Sequence, residues 1–186
     1  MTAGVLIFAS ASNTGANFPI TFPANLQGVF CIGSANGLGA QSTFSPPIKG
    51  DEKYSAPGEA ILGACPKSPF NRPGYDPKTQ TIRGHRTSTS TPIAAGIAAL
   101  FIDYTWQFMD GQGAWTYENI RKPFTRMSQL TAEKDYRYLA PWSLFATEEP
   151  PRSEIRNILA SPLGMTLPIR LTVYLTSFRA GSNMDS

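Results

Sequence analysis

Several residue types that catalytic and metal sites depend on are scarce in this chain of 186 residues. It holds one histidine and two cysteines, Cys31 and Cys65. No cysteine–histidine spacing suits zinc, so no metal site is expected. A disulfide between the two cysteines stays open, but Cys31 lies in an apolar run, which favours a buried thiol.

Strong charge and long apolar runs are also absent. The net charge of +3 and the lack of a lysine or arginine cluster give no basis for nucleic-acid binding. The longest apolar run, 93–102, is too short to cross a bilayer, and no basic start marks a signal peptide. We therefore expect an intracellular protein without a membrane partner. No closely spaced carboxylates suggest calcium, and no cofactor is expected.

The apolar segments that are present predict an α/β domain. Segments 5–11 and 28–33 are apolar without alternation, which is typical of buried parallel strands. Segment 53–58 predicts a shorter strand that a Pro-Gly turn ends. With 16 glycines and 16 prolines, the chain suits a fold with many loops rather than a helical bundle.

The clearest helix is predicted from about Pro92 to Met109. Thr91 can cap it, and Pro92 fits the first helical position. Its first three turns are apolar on every side, which predicts a buried central helix. Gly96 lowers helix propensity there, and close packing against another backbone would explain it.

Four further segments have weaker patterns. Segment 65–84 is rich in proline and polar residues and predicts a long loop. Segment 116–128 predicts a helix that Pro123 should kink or end. A short helix is predicted over 153–160. Clean alternation over 169–176 predicts an amphipathic strand, which would favour aggregation if unpaired.

The first motif that could carry chemistry is Ala-Ser-Ala-Ser-Asn at 9–13. Small residues on a strand leave room beside the backbone for an extended ligand. Asn13 follows the carboxyl end of that strand, where sites in open α/β sheets lie, and its amide can donate to an oxygen. An asparagine before Thr-Gly is equally typical of a plain turn.

The second motif is Thr-Ser-Thr at 87–89. Ser88 comes just before the predicted helix, where free N–H groups and the helix dipole favour negative charge. Such a position suits a serine nucleophile and the oxyanion that it creates. By itself the motif could also be a helix cap or a phosphorylation site that follows Arg83 and Arg86.

A glycine-rich run at 33–39 suggests a different function. It follows a strand, as the phosphate-binding loop of a dinucleotide-binding protein does. That chemistry needs a helix directly after the loop to hold the pyrophosphate. Pro46 and Pro47 forbid a helix of useful length, so the sequence argues against a nucleotide site.

In their order along the chain, the motifs resemble the C-terminal half of the catalytic domain of subtilisin-like serine peptidases, the subtilases. That family has Gly-Thr-Ser-x-Ala-Thr-Pro where this chain has 86–92, and Ala-Ala-Gly-Asn where it has 10–13. Phe-Pro-Ala at 22–24 and Ala-Pro-Gly at 56–58 match further landmarks.

The resemblance is specific over about residues 4–110 and continues more weakly to Leu163, where it is similar to the intracellular fungal branch of the family. Residues 1–163 are therefore interpreted as the C-terminal portion of a subtilase catalytic domain, and 164–186 as an unassigned tail. The implied fold is a partial three-layer α/β domain with a mostly parallel sheet and a buried helix after the nucleophile.

The resemblance also implies roles. Ser88 matches the nucleophile of a serine endopeptidase, and Asn13 matches the side chain that stabilises the oxyanion together with the Ser88 N–H. The strand at 8–11 would form one wall of the primary specificity pocket. The implied partner is a peptide or protein substrate.

Three of the departures from the family motifs bear on the site. Arg86 replaces the glycine before Thr-Ser, which puts a long charged side chain beside the nucleophile. Ser12 replaces the glycine before the asparagine, and Ser90 replaces an alanine. Glycine at the first two positions permits backbone conformations that other residues adopt at a cost.

The catalytic base is the largest departure. In this family the aspartate and histidine of the triad precede the asparagine motif, and only twelve residues precede Asn13. His85 follows it and does not align with the base, although it lies three residues before Ser88. We therefore expect the chain by itself to be inactive. The alternative is a non-catalytic interaction module or a relic of a truncated peptidase.

Overall fold

Strands and helices follow one another along the parts of the chain that the computed structural model describes, residues 4–48, 53–65, 73–108, 115–130, 136–145 and 170–174. The elements are β1 Val5–Ser10, β2 Val29–Ala35, β3 Lys53–Pro57, β4 Ile61–Ala64, β5 Tyr75–Asp76, β6 Thr81–Gly84, α1 Thr87–Phe108, α2 Tyr117–Met127, β7 Ser128–Leu130, β8 Arg137–Leu139, α3 Trp142–Phe145 and β9 Arg170–Tyr174.

Six of these strands form one sheet, in the order β7-β8-β3-β2-β1-β9. All neighbours are parallel except β7 and β8. The predicted α/β class, with a mostly parallel sheet, is confirmed. Every residue of β2 is buried, which explains why its sequence is apolar or small without alternation.

Helices α1 and α2 contribute to the main core on one face of the sheet. Aromatic side chains fill its centre: Phe30 stacks on Phe8 with ring centroids 4.8 Å apart and meets Phe124 of α2 at 5.3 Å. A smaller cluster contains Ala9, Cys31 and other small or apolar residues. The predicted strands at 5–11, 28–33 and 53–58 are thus confirmed to within about two residues.

Helix α1 differs from its prediction at its start. It begins at Thr87 rather than at Pro92, so Thr91 does not cap it and Pro92 lies inside it. Hydroxyl groups stabilise this first turn: Thr91 Oγ1 donates to the Thr87 carbonyl at 2.8 Å, next to the Ser88 carbonyl that Pro92 leaves without an N–H. Side-chain bonds to the backbone therefore extend the helix toward its N-terminus.

The outer face of α1 also differs from its prediction. Pro92, Gly96, Ala99 and Leu100 are exposed, so the helix is buried on one side only. Beyond its own helix turn, no atom of the described residues lies within 4 Å of a Cβ placed on Gly96, so close packing against another described backbone does not explain this glycine. An apolar sequence reports the preference of a face for burial, not whether a neighbour covers it.

Strands β4, β6 and β5 form a second, antiparallel sheet. It corrects the prediction of one long loop over 65–84, because β5 and β6 lie inside that segment and pair with each other. Gln80 adopts a φ of +52° in the turn between them, a left-handed conformation with no glycine to signal it.

The remaining predictions have mixed outcomes. Helix α2 continues through Pro123 to Met127, so the proline does not end it, and the buried Phe124 and Met127 hold its last turn on the core. The predicted helix at 153–160 lies outside the described residues. A strand forms at 170–174 and pairs with β1 in parallel. Over the part of the chain that is described, no helix is long and apolar enough to cross a membrane.

Candidate active site

The two chemical motifs meet where β1 ends and α1 begins. Asn13 lies three residues past β1, and its side-chain Oδ1 accepts the Thr87 N–H at 2.7 Å and the Thr87 hydroxyl at 3.1 Å. The sequence separates these residues by 74 positions. The fold therefore brings Asn13 and the Thr-Ser-Thr motif into direct contact, which neither motif predicts alone.

This contact fixes the orientation of the Asn13 amide. A backbone N–H can only donate, so the atom that faces Thr87 must be the carbonyl oxygen of the side chain. The Nδ2 group then points the other way. No described residue accepts a hydrogen bond from it, so the two N–H donors of Asn13 are unused within the described structure.

Thr87 is the positioning residue that sequence reasoning missed. It is fully buried, and its single hydroxyl hydrogen is shared between the Ser12 carbonyl at 3.0 Å and Asn13 Oδ1. With its N–H, Thr87 thus ties the chain after β1 to the first residue of α1. Its place directly before Ser88 in the motif was the available signal.

Ser88 is the second residue of α1 and is half-buried. Its N–H is one of the first helical N–H groups, which have no partner within the helix. The described part of the chain offers no side chain that accepts the Ser88 hydroxyl hydrogen. The site therefore places two kinds of donor, Asn13 Nδ2 and the N-terminal N–H groups of α1, near a serine hydroxyl.

His85, three residues before Ser88, makes a hydrogen bond to a different segment of the chain. Its Nδ1 accepts the Ala60 N–H at 3.2 Å, which ties the exposed imidazole to the turn between β3 and β4. Because Nδ1 accepts this bond, the neutral imidazole carries its hydrogen on Nε2, and neither ring nitrogen then has a free lone pair for the Ser88 hydroxyl.

The backbone of Arg86 caps α1. Its N–H donates to Gly58 O at 2.9 Å and to Thr89 Oγ1 at 3.1 Å, and its carbonyl accepts the Thr89 N–H. Its φ is not left-handed, so an arginine at the family's glycine position causes no backbone strain there. The side chain is exposed.

Ser12 is strained where Arg86 is not. Its φ is +141°, in a region that L residues with a Cβ rarely adopt. This is the position at which the resembled motif has glycine. Ser12 nevertheless contributes to the site, since its hydroxyl bonds to Thr14 Oγ1 at 2.9 Å and its carbonyl accepts from Thr87.

Gly58 packs the start of α1 against the end of β2. Its N–H donates to Ala35 O at 2.9 Å, and its carbonyl accepts from Arg86. A Cβ at this position would collide with the hydroxyls of Ser34 and Ser90 and with the Arg86 carbonyl. Only glycine fits this contact, which accounts for the Ala-Pro-Gly landmark.

Other groups add no chemistry to the site. Both cysteines are free and buried, and burial raises the pKa of Cys31 to about 12, which keeps the thiol protonated and unreactive. Cys31 borders a separate cavity of about 480 Å³ lined by the loop at 19–27. No cluster of metal-ligating side chains occurs among the residues that are described.

The glycine-rich run after β2 forms a turn rather than the start of a helix. Asn36 Oδ1 accepts the N–H groups of Leu38 and Ala40 at 2.9 and 3.0 Å. Gln41 then makes an isolated bridge back to Ala35. A dinucleotide site would need a helix N-terminus here, and the chain supplies none in this segment.

Comparison with known proteins places these features in context. The model of the subtilase family matches residues 1–134. The self-cleaved protease domain of PatA is similar, with 27% identity and a TM-score of 0.52. That match covers 67% of this chain and 42% of that one. The PatG macrocyclase in complex with peptide is 25% identical, with a TM-score of 0.56 over 83% of this chain and 43% of that one.

A lanthipeptide protease shares the fold, with 20% identity and a TM-score of 0.60 over 74% of this chain and 49% of that one. The fold is thus that of subtilisin-like protease domains. The chain spans 42–49% of the length of these three structures. No curated protein matches the sequence.

Proposed function

This chain belongs to the subtilase family, and from that premise we propose that it forms part of a serine-type endopeptidase in which Ser88 is the nucleophile and Asn13 stabilises the oxyanion. The observation that carries the proposal is the bond from the Thr87 N–H to Asn13 Oδ1, 2.7 Å long. It turns the Asn13 Nδ2 donors away from Thr87 and leaves them available to a carbonyl oxygen at the start of α1.

In the proposed reaction, Ser88 Oγ bonds to the carbonyl carbon of a peptide, and the π electron pair of the carbonyl moves to its oxygen. Asn13 Nδ2 and the Ser88 N–H donate to the resulting oxyanion, and the dipole of α1 adds to its stabilisation. A general base must take the hydroxyl proton of Ser88 and return it to the leaving amine. Collapse of the intermediate breaks the C–N bond, and water then hydrolyses the acyl-enzyme.

We further propose that this base and the acid that orients it come from outside the 186 residues. His85 Nδ1 accepts a hydrogen bond from the Ala60 N–H, and no described side chain accepts a hydrogen bond from the Ser88 hydroxyl. Residues 1–163 would then be the C-terminal part of a catalytic domain, which the partial coverage of the similar structures supports. Its assignment to the intracellular fungal type depends on the resemblance of the sequence alone. Without a base the serine is a weak nucleophile, and the chain alone should hydrolyse little.

Labelling with a fluorophosphonate probe tests the missing base. The purified chain should react with the probe no faster than the Ser88→Ala variant does. Labelling of Ser88 above that background would show that this chain holds its own base. The Asn13→Ala variant serves as a second control, because it leaves the serine in place.

Extension of the reading frame tests the peptidase itself. If the coding sequence upstream of Met1 supplies aspartate and histidine motifs, the extended protein should cleave a fluorogenic peptide. Ser88→Ala should abolish cleavage, and Asn13→Ala should reduce kcat about 10²–10³-fold, as subtilisin does when it loses its own oxyanion asparagine. Cleavage that survives Ser88→Ala would contradict the assignment.

The alternative is a non-catalytic interaction module or a truncated relic. The exposed apolar side chains on α1 favour it, since Leu100 and Trp106 are each 59% exposed. A module should unfold cooperatively on heating and stay unlabelled by the probe. A relic should show no cooperative unfolding.

A further inference from the structure

The segment from β6 to α1 carries basic side chains on its exposed surface beside Ser88. Arg83, His85 and Arg86 are all exposed. Arg83 Nη1 donates to Ala60 O at 3.2 Å, which holds that arginine against the turn between β3 and β4. Glu59 lies in the same turn, and no ion pair joins it to either arginine in the described structure.

Arg86 stands out because its backbone is fixed and its side chain is unused. Two hydrogen bonds hold its N–H, and its carbonyl accepts from the N–H and hydroxyl of Thr89 at 3.0 and 2.6 Å. Its guanidinium makes no hydrogen bond or ion pair with any residue that the structure describes. A guanidinium group whose backbone is fixed is suited to bind a carboxylate of another molecule.

The position of Arg86 in the chain brings its guanidinium group close to the proposed reaction. Arg86 lies two positions before Ser88 in the chain, a span of at most about 7 Å between their Cα atoms. The intervening Thr87 is locked to Asn13. A carbonyl bound by Asn13 Nδ2 and the Ser88 N–H therefore has its neighbouring substrate side chains within reach of an extended arginine.

We propose that Arg86 selects peptides with an acidic side chain next to the peptide bond at Ser88. This inference rests on the proposed function, since that function defines where the peptide lies. The residue that departs from the family motif then serves as a specificity determinant rather than an obstruction. Its positive charge would favour Asp or Glu over the neutral amides of the same shape.

Binding of a matched peptide pair tests this. Two fluorescein-labelled peptides of alanine and glycine differ only in one Asp or Asn beside the central bond, and fluorescence anisotropy gives their Kd. The Asp peptide should bind about 3- to 5-fold tighter at low ionic strength, as expected for an exposed ion pair. The difference should shrink in about 0.5 M salt, because salt screens exposed charges.

Three variants assign the preference. Arg86→Gln should abolish it, and Arg86→Lys should retain part of it. Lys78→Gln removes one positive charge from the exposed turn between β5 and β6 and should leave it unchanged. Unfolding midpoints that match the wild type confirm that the variants fold alike.

Each contrary outcome has a distinct meaning. Equal binding of the two peptides, or a preference that survives Arg86→Gln, overturns the role of Arg86 and leaves the peptide site standing. Binding of neither peptide overturns the acid preference and also contradicts the peptide site in the proposed function.

Discussion

The two faces of helix α1 carry similar residues but have opposite environments. The inner face packs on β1, β2 and β3 and includes Phe101, which is 1% exposed. The outer face includes Leu100, the preceding residue, which is 59% exposed. The comparison shows that the inner face holds the site together, while the outer face contributes little to the stability of the described structure.

The largest expected effect comes from truncation of the inner face. Phe101→Ala should lower the free energy of unfolding by about 3–5 kcal/mol, because it removes a buried ring that meets Trp115 edge-on. Leu100→Ala is the matched control and should change it by less than about 0.5 kcal/mol. Urea unfolding measures both. Equal losses would show that the outer face is covered.

The next largest effect is expected where Thr87 at the start of α1 bonds to Ser12 and Asn13 after β1. Thr87→Val keeps the shape of the side chain but leaves the buried Ser12 carbonyl without its hydroxyl donor. Unfolding free energy should fall by about 1–3 kcal/mol. Thr43→Val, at an exposed threonine whose hydroxyl makes no hydrogen bond with the described residues, should cost less than about 0.5 kcal/mol. If the two variants lose equal unfolding free energy in urea titrations, the hydrogen bond from Thr87 to Ser12 does not stabilise the packing of α1 on β1.

Ser12→Gly should stabilise the same contact. Glycine adopts the φ of +141° freely, so the substitution should relieve roughly 1 kcal/mol of strain, less the lost bond to Thr14. A rise in thermal midpoint checks this. Thr14→Ala removes that bond alone and serves as the control. A lower midpoint for Ser12→Gly would mean that the hydroxyl matters more than the strain.

The smallest effect is expected on the outer face. Gly96→Ala should raise the unfolding free energy by about 0.5–1 kcal/mol, because alanine favours a helix and its Cβ would meet no described residue outside the helix's own turn within 4 Å. Gly58→Ala is the contrasting control and should destabilise, since its Cβ collides with Ser34 and Ser90. Destabilisation by Gly96→Ala in a calorimetric scan would indicate an unrecognised neighbour at the outer face.

Local patterns predicted the parallel strands well because burial on both sheet faces leaves a direct mark on composition. Strand β2 shows this, with all seven residues buried. The same logic failed at α1, where an apolar sequence predicted burial on every side. The predicted start of that helix was also wrong. Hydrogen bonds such as that from Thr91 Oγ1 to the Thr87 carbonyl leave no mark on the spacing of apolar residues.

The site was half accessible from the sequence. The motifs around Asn13 and Ser88 pointed to a serine peptidase, and the match to the subtilase family over 1–134 agrees. The place of Thr87 directly before Ser88 marked it for attention, but its bonds to Asn13 could not be predicted, since that partner lies 74 residues away. The replacement of the family's glycine indicated the backbone strain at Ser12. At Arg86, which also replaces a glycine of the family motif, no such strain is found.

The sequence by itself determined the α/β class, the parallel strands and the family, because these follow from local composition and short motifs. Only the tertiary structure decided which atom of Asn13 faces Thr87, where α1 begins and which of its faces is covered. Those outcomes depend on hydrogen bonds and packing between segments far apart in the chain. A local pattern records the preference of a residue, and only the fold supplies the partner that satisfies it.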